Sequence, residues 1–432
     1  MLSNQREKAE VDRARALLSE MTLSEKIGQM VQVNSSDGSV SEDLRREIQE
    51  GRIGSVLNEV NPEAVTELQR IAREESRLGI PLLIGRDVIH GFNTVLPIPL
   101  GQAATWNREL VEKGARYAAM EAASQGINWT FAPMLDVSRD PRWGRIAECL
   151  GEDPVLTSEL GAAMVRGFQT HDLTGKDAIL SCAKHFAGYG ATESGRDYNS
   201  ANIPDVELRN TYFPPFQAAI AAGAQSVMTS FSDLNGEPPT ASAWLLRDVL
   251  REEWGFPGFV VSDWASINEL VSHGVAENEH QAAQLAVTAG VNMDMESSAY
   301  AHYLQGLVEQ GFIDEGWVDE LVAQILNVKF DLGLFDASPD GAGSVLSSED
   351  HLDMARQLAR ESVVLLKNDH DLLPLDSTKN ETIAVIGPLA DDGYEQMGTW
   401  VFDGDANLSQ TVLNALDRKV GSSTTVRHVK AL

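Results

Sequence analysis

Short apolar, β-branched segments alternate with longer amphipathic segments before position 336. Seven segments have the composition of buried strands: 54–58, 81–87, 128–137, 179–185, 226–231, 258–263 and 291–295. Helical spacing of apolar residues is found between them, for example at 108–125, 157–170, 208–222 and 279–289. This alternation predicts parallel strands joined by crossover helices, in a (β/α)8 barrel or a doubly wound sheet. Seven or eight such units favour the barrel.

Polar residues gather where the predicted strands end. They are Asp87, Asp136, Lys184, His185, Asp263 and Asp294. The carboxyl ends of the strands form the active face of a parallel barrel. We therefore expect these side chains to meet at one mouth of the barrel.

The alternation stops at a Gly-, Ser-, Pro- and Asp-rich stretch that predicts an interdomain linker at 336–347. The pattern beyond it predicts a helix over 348–366, a buried strand over 383–388, a helix near 409–416 and a strand from Thr424. We thus expect the barrel at 1–335 and, at 348–432, the first part of an α/β sandwich domain.

Composition excludes several classes of protein. The 432 residues carry 34 basic and 64 acidic side chains, a net charge of −30 that disfavours binding to nucleic acid. No apolar run approaches the ~18–20 residues of a membrane span. Two cysteines cannot form a disulfide framework, and the first residues lack the apolar core of a signal peptide.

Asp263 directly follows the apolar strand at 258–262 and precedes Trp264. A carboxylate held rigidly at this position suits acid–base or glycosyl-transfer chemistry, which depends on paired carboxylates. The same residue would also serve as the N-cap of a helix starting near Ser266. The spacing leaves both interpretations open.

Lys184 and His185 end another predicted strand. Three roles are open for this pair. The two cations could bind sugar hydroxyls or phosphate, Lys184 could form a Schiff base with a substrate, or the pair could form a salt bridge to a carboxylate of the barrel. Asp87 would accept hydrogen bonds from substrate hydroxyls or pair with Arg86 or another cation. We expect the Arg-rich loop at 136–145 to combine internal salt bridges with one arginine that reaches a ligand.

Other catalytic signatures are absent from the sequence. It has no nucleophile elbow, P-loop, zinc-protease motif or Cys-x-x-Cys pair, and its nine histidines are scattered. We therefore expect neither a metal nor an organic cofactor.

Five motifs, at 21–29, 139–145, 184–186, 260–264 and 361–368, occur in order along the chain. Together they resemble glycoside hydrolase family 3, over nearly the whole chain. Two further segments, 87–91 and 327–335, are similar to the bacterial periplasmic β-glucosidases of that family. The resemblance implies a TIM-like barrel followed by an α/β sandwich, and a periplasmic or secreted location, with the cytoplasm left open.

The resemblance also implies a retaining, exo-acting β-glucosidase that releases glucose from the non-reducing end of β-linked gluco-oligosaccharides. Asp263 matches the nucleophile that forms a covalent glycosyl–enzyme. The implied sugar-binding residues are Asp87, Arg145, Lys184, His185, Met228, Phe231 and Trp264. The family alternatives are β-galactosidase, β-xylosidase and N-acetylglucosaminidase, and the other alternative is a non-catalytic sugar-binding fragment.

Three departures from the family pattern change this expectation. Phe231 stands where family glucosidases commonly have a tyrosine near the nucleophile. The loop at 187–197 lacks the histidine of the N-acetylglucosaminidase branch, which disfavours that activity. The general acid of the glucosidases is a glutamate far into the second domain, and the sequence ends before it. We therefore expect a second fragment to carry the rest of that domain and the acid.

Overall fold

The computed structural model describes residues 13–336, 345–376, 382–420 and 424–430. Eight parallel strands form one sheet in the order β7-β6-β5-β4-β3-β2-β1-β8. They are β1 (Val31–Asn34), β2 (Ser55–Leu57), β3 (Leu83–Arg86), β4 (Trp129–Thr130), β5 (Leu180–Phe186), β6 (Ser226–Thr229), β7 (Phe259–Val261) and β8 (Asp294–Met295). Hydrogen bonds from Ser262 N to Met293 O (2.9 Å) and from Asn292 N to Val260 O (2.8 Å) close the sheet into the predicted (β/α)8 barrel.

Helices connect the strands and pack outside them. They are α1 (Leu23–Gln29), α2 (Glu42–Gln49), α3 (Pro62–Arg70), α4 (Pro99–Ala104), α5 (Arg108–Ser124), α6 (Pro154–Gln169), α7 (Pro214–Ala221), α8 (Ser266–Ser272), α9 (Glu279–Ala289), α10 (Gln305–Glu309) and α11 (Glu315–Asp331). π-Helical turns occur at Ile71–Glu75, Leu208–Tyr212, Trp244–Glu253 and Tyr300–Leu304. None of the helices in these described ranges is long and apolar enough to cross a membrane.

The starts of the long helices follow from their sequences. The side chain of Asn107 accepts a hydrogen bond from Leu110 N (3.1 Å) at the start of α5. Asp153 likewise accepts from Leu156 N (2.8 Å) before α6, whose first residue is Pro154. A side-chain acceptor at the N-cap and a proline in the first turn both favour a helix that begins at that point.

A buried lysine joins the amino ends of the first three strands. Lys329 Nζ, on α11, donates to Gln29 Oε1 (2.7 Å), Gly54 O (2.9 Å) and Pro81 O (2.7 Å). Gln29, Gly54 and Pro81 lie just before β1, β2 and β3, respectively. The lysine therefore fixes the end of the barrel opposite to the predicted active face.

Beyond the barrel lies a second unit, the described residues from 345 onward. It contains α12 (Glu349–Glu361), β9 (Thr382–Ile386), α13 (Val412–Val420) and β10 (Thr425–Val429), and β9 and β10 are parallel. Most of the predicted linker, 337–344, lies outside the described residues. The helix predicted over 348–366 was wrong beyond residue 361, where two β-branched valines disfavour helix. The strand predicted at 383–388 is β9, but its expected burial was wrong, because its residues alternate between exposed and half-buried.

Glu121 on α5 holds the start of this second unit against the barrel. Its buried carboxylate accepts from Thr94 N (2.7 Å) and Thr94 Oγ1 (2.6 Å) within the barrel. It also accepts from Ser347 N (2.9 Å) and lies 2.8 Å from His351 Nδ1 on α12. The ring of Tyr117 stacks on His351 with centroids 4.3 Å apart. One carboxylate thus connects both parts of the chain.

Candidate active site

Asp263 lies at the mouth of the barrel, two residues after the end of β7. Its Oδ1 accepts a hydrogen bond from Trp264 N (2.7 Å), and its Oδ2 has no hydrogen-bond partner in the described part of the chain. The N-cap of α8 is Ala265, so the N-cap interpretation of Asp263 was wrong. The carboxylate is instead 7 % exposed and directed among the polar side chains of the mouth.

The pKa of Asp263 is raised to about 7, mainly by burial and to a smaller extent by the charge of Asp87. The positive charges of Arg145 and Lys184 and the N–H of Trp264 oppose this increase. Low dielectric disfavours a carboxylate, whereas neighbouring cations favour it. Asp263 is therefore a carboxyl group whose ionisation depends on the cations around it.

Asp87 and Lys184 form an ion pair beside Asp263. Asp87 follows β3, and its Oδ1 lies 2.9 Å from Lys184 Nζ on β5. The sequence-based alternative of a salt bridge to a barrel carboxylate is thus confirmed, whereas the alternative pairing of Asp87 with Arg86 was wrong. Lys184 is 3 % exposed, so the pair is nearly enclosed.

His185 adjoins Lys184 in β5, and both side chains reach polar partners at the mouth. The pairing of β5 with β6 shifts register between Ala183 and Phe186, which allows successive residues to depart from strict alternation. His185 Nδ1 lies 2.8 Å from Asp136 Oδ2, and its Nε2 lies 3.4 Å from Asp263 Oδ2.

The protonation of His185 follows from its neighbours. Arg145 Nη2 lies 3.2 Å from His185 Nε2, and because arginine only donates, Nε2 accepts and Nδ1 carries the proton given to Asp136. Burial, together with the charges of Arg145 and Lys184, holds the pKa of His185 well below its usual value. The imidazole is therefore neutral and fixed in one tautomer.

Two arginines of the Arg-rich loop form salt bridges, as the sequence predicted, and that a third reaches a ligand stays a prediction. Arg139 pairs with Glu207 (3.0 Å) and Arg142 with Asp140 (2.7 Å), and both arginines are exposed. Arg145 turns inward, where its Nε lies 2.7 Å from the buried carboxylate of Glu148.

Three apolar side chains complete the predicted set. Trp264 is 43 % exposed and leaves its ring available at the mouth. Phe231 is nearly buried and packs edge-on against Tyr189, with centroids 6.1 Å apart. Met228 on β6 is 2 % exposed and belongs to the barrel core.

The sequence reasoning missed a group of residues from the second unit. The ring of Trp400 lies 5.5 Å from Lys184 Nζ and 5.6 Å from the guanidinium carbon of Arg145. Three residues later, Asp403 forms a bidentate pair with Arg86 at 2.8 and 3.0 Å. The sequence pattern that could have indicated this group is the two aromatic residues and the acid within 400–403. That pattern alone does not show that these residues contact the barrel.

The described residues include no group of three or more His, Cys, Asp or Glu side chains arranged to hold a metal. What the mouth does provide is a buried carboxylate, two cations, a neutral histidine and aromatic rings. Such a set can bind several hydroxyl groups of one small ligand and bring the carboxylate against it.

Comparison with known proteins agrees with this arrangement. The model of the glycosyl hydrolase family 3 N-terminal domain matches residues 22–328, and that of the C-terminal domain matches 363–432. A periplasmic β-glucosidase of Salmonella typhimurium is 42 % identical over 96 % of this chain, and a β-xylosidase of Formosa agariphila is 35 % identical over 85 %. The chain spans 55 % of the length of each of these relatives.

Solved structures give the same result. A β-glucosidase from Listeria innocua in complex with glucose superposes with a TM-score of 0.91 at 39 % identity, covering 97 % of this chain and 60 % of that one. A variant of that enzyme in complex with laminaribiose matches equally well. By sequence and by fold, this chain belongs to glycoside hydrolase family 3.

Proposed function

We propose that this chain carries the sugar site and the nucleophile of a retaining, exo-acting β-glucosidase. The observation that carries the proposal is the position of Asp263. Its Oδ2, which has no hydrogen-bond partner among the described residues, lies 3.4 Å from His185 Nε2, and two cations are close enough to counter its buried charge. The glucose and laminaribiose bound to the Listeria innocua relatives support a β-linked glucoside as substrate.

Asp87, Arg145, Lys184 and His185 would bind the hydroxyl groups of the non-reducing sugar, and Trp264 would pack beside its ring. Asp263 Oδ2 attacks the anomeric carbon as the bond to the leaving oxygen breaks. The leaving oxygen takes the electron pair and, in a natural glycoside, a proton from a general acid. A water molecule then attacks the same carbon, and its oxygen bonds to the sugar as the bond to Asp263 breaks. Its proton passes to the base left by the general acid, so glucose is released and the carboxylate restored.

We infer that the general acid is supplied by a second fragment that packs on the second unit. Apolar surface is available there, because Val363, Val364, Leu365 and Leu366 are between 59 % and 92 % exposed. An intact mass well above 47.0 kDa or a co-purifying fragment would support this inference, and a single species of 47.0 kDa that hydrolyses a natural glycoside such as laminaribiose would contradict it. A periplasmic location is proposed from the Salmonella relative alone.

The first prediction concerns Asp263→Asn. Asparagine keeps the shape of the side chain but cannot form the covalent intermediate, so hydrolysis of an activated aryl β-glucoside should fall by about three orders of magnitude or more. A dinitrophenyl leaving group needs no general acid, so the assay works on this chain alone. Unfolding temperature should remain close to that of the parent chain.

Trapping with an activated 2-fluoro glucoside provides the second readout. A mass increase of one fluoroglucosyl group on the parent chain, absent from Asp263→Asn, is the expected result. Substantial turnover by the variant would remove Asp263 from this role, and a chain that binds sugar without forming an adduct would be a binding module. A panel of aryl galactosides, xylosides and N-acetylglucosaminides tests the other sugars, of which xylose has a relative in its favour.

A further inference from the structure

Asp136 is a buried carboxylate at the mouth whose part in the reaction is still open. It follows β4, and its side chain is fully enclosed. Its Oδ2 accepts two hydrogen bonds from one residue, His185, whose backbone N–H lies 3.0 Å away and whose ring Nδ1–H lies 2.8 Å away. Its Oδ1 has no hydrogen-bond partner among the described residues. The hydrogen bonds found for this carboxylate in the described ranges therefore go to a single residue of the site.

This double contact favours one tautomer of His185. An unprotonated Nδ1 would place its lone pair against those of the carboxylate, so Nδ1 carries the proton. On the other side of the ring, a proton on Nε2 would face an N–H of Arg145, whose Nη2 is 3.2 Å away. Arg145 is held in turn by Glu148, through contacts of 2.7 and 3.0 Å. Asp136 and Arg145 thus act on opposite sides of the ring, and both favour an unprotonated Nε2.

The tautomer determines which group His185 presents to the nucleophile. Its Nε2 lies 3.4 Å from Asp263 Oδ2, the oxygen that attacks in the proposed reaction. An unprotonated nitrogen cannot donate to that oxygen. An N–H at the same place would stabilise the charged carboxylate, and that contact would weaken as the oxygen bonds to carbon. The other tautomer would therefore lower both the pKa and the reactivity of Asp263.

The charged groups around His185 leave two carboxylates without a salt bridge to lysine or arginine within the described ranges. The cations are paired, Lys184 with Asp87 at 2.9 Å and Arg145 with Glu148 at 2.7 Å. Burial raises the pKa of the other titratable neighbours, Tyr189, Tyr198 and Cys149, so they stay neutral at neutral pH. Asp136 and Asp263 remain, one on each side of the imidazole, and the pKa of Asp136 is raised to about 7, mainly by burial.

We propose that Asp136 is a positioning residue that acts through His185. It holds the unprotonated Nε2 toward Asp263, so that the histidine cannot donate a hydrogen bond to the attacking oxygen. This inference rests on the proposed function.

Two substitutions separate this role from the charge of Asp136. An asparagine oxygen in place of Oδ2 can still accept both N–H groups, so Asp136→Asn removes the charge and keeps the tautomer. Asp136→Ala removes the charge and the acceptor together, which lets Nε2 carry the proton and donate it to Asp263. The difference between the two variants therefore reports the tautomer and not the charge.

The test follows formation of the fluoroglucosyl adduct from an activated 2-fluoro glucoside, as mass against time between pH 5 and 9. The pH at half-maximal rate should be about one unit lower in Asp136→Ala than in Asp136→Asn, and the maximal rate about tenfold lower. Equal midpoints in the two variants would overturn the proposal. Absence of adduct on the parent chain at every pH would instead overturn the proposed function.

Asp294 provides a matched control. It is also a buried aspartate, and its oxygens accept N–H groups of Ser297 (3.0 Å) and Tyr300 (3.1 Å). Asp294→Ala removes a similar number of buried hydrogen bonds without touching His185, so its midpoint should equal that of the parent chain. A shift as large as that of Asp136→Ala would mean that general loosening of the mouth causes the effect, and would overturn the proposal.

A second measurement needs no variant of Asp136. In the parent chain labelled with ¹⁵N-histidine, the His185 signals are identified by their loss in His185→Gln. They should show a protonated Nδ1 and an unprotonated Nε2 from pH 6 to 8. A proton on Nε2 would overturn the proposal, whether or not Asp136→Ala folds.

Discussion

At the scale of single residues, the mouth of the barrel places the buried carboxylate of Asp263 near the positive charges of Arg145 and Lys184. Within the described part of the chain, the carboxylate of Asp263 accepts from one N–H group, that of Trp264. The nearby positive charges of Arg145 and Lys184 therefore contribute most to stabilising its ionised form. A nucleophile with few hydrogen bonds keeps its electron pairs available for attack, and burial strengthens the electrostatic effect of the cations. The same balance makes its ionisation sensitive to pH.

The pKa of about 7 for Asp263 leads to the second prediction. Only the ionised form attacks, and its fraction rises with pH, so formation of the fluoroglucosyl adduct should be about tenfold faster at pH 8 than at pH 6. The measurement is the adduct mass against time, with an activated leaving group that needs no acid. Equal rates at both pH values would show that Asp263 ionises well below this range.

The site residues divide into those that the sequence could predict and those that it could not. Lys184, His185 and Asp263 were predicted to share one mouth, because strand ends meet in a parallel barrel. Trp400 was missed, since its neighbours Lys184 and Arg145 are more than two hundred residues away in the chain. Contacts across such separations leave no periodic pattern for a single sequence to reveal.

At the scale of elements, the segment 397–404 behaves as a loop of the second unit attached to the barrel at several points. Arg86 binds Asp403, Asn93 Nδ2 donates to Asp403 O (3.0 Å), and His90 contacts Thr399 O. Because Arg86 directly precedes Asp87, these contacts hold Trp400 over the side of the mouth that would bind hydroxyls.

The third prediction tests this loop as a unit. On the Asp263→Asn background, Trp400→Ala and Asp403→Ala should each weaken glucose binding about tenfold, the first by removing the ring and the second by releasing the loop. The double variant should lose little more than either single one. Asp417→Ala, on the exposed surface of α13, is the control. Losses that add fully would mean that Asp403 does not act through Trp400.

Elements differed in how far their sequences determined them. The strands with long apolar runs, such as β5 and β7, were predicted within a few residues. β1 was missed, because Val31-Gln32-Val33-Asn34 is short and its polar residues bond inside the barrel, where Gln32 Nε2 donates to Ser55 Oγ (2.8 Å). Burial of β9 was overestimated, since composition does not show which neighbours cover a strand.

At the scale of the whole molecule, Lys329 stabilises the end of the barrel opposite to the mouth that contains Asp263. Its ammonium group is buried with three neutral oxygen acceptors, and burial lowers its pKa to about 7. Those acceptors belong to segments entering three different strands. The stability of the barrel therefore depends on one side chain that connects sequence-distant parts.

The fourth prediction is that Lys329→Met lowers the free energy of unfolding by about 3 kcal/mol or more, because it leaves three buried acceptors without a donor. Between pH 7 and 10.5 this lysine is more protonated in the unfolded state than in the folded state. Its contribution to the free energy of unfolding therefore increases with pH. Denaturant unfolding at pH 7 and pH 9 should show that increase in the parent and in the exposed-site control Lys176→Met, but not in Lys329→Met. An identical pH dependence of stability in all three proteins would contradict the assignment of the lowered pKa to Lys329.

The pair between Arg86 and Asp403 has a consequence for recombination between relatives. A chimera that joins this barrel to another protein's second unit inherits only one half of that pair. Sugar affinity should then survive where the incoming loop has an acid opposite Arg86 and an aromatic ring at the position of Trp400, and should fail elsewhere. The residues at these two positions are therefore the first to compare before such a chimera is made.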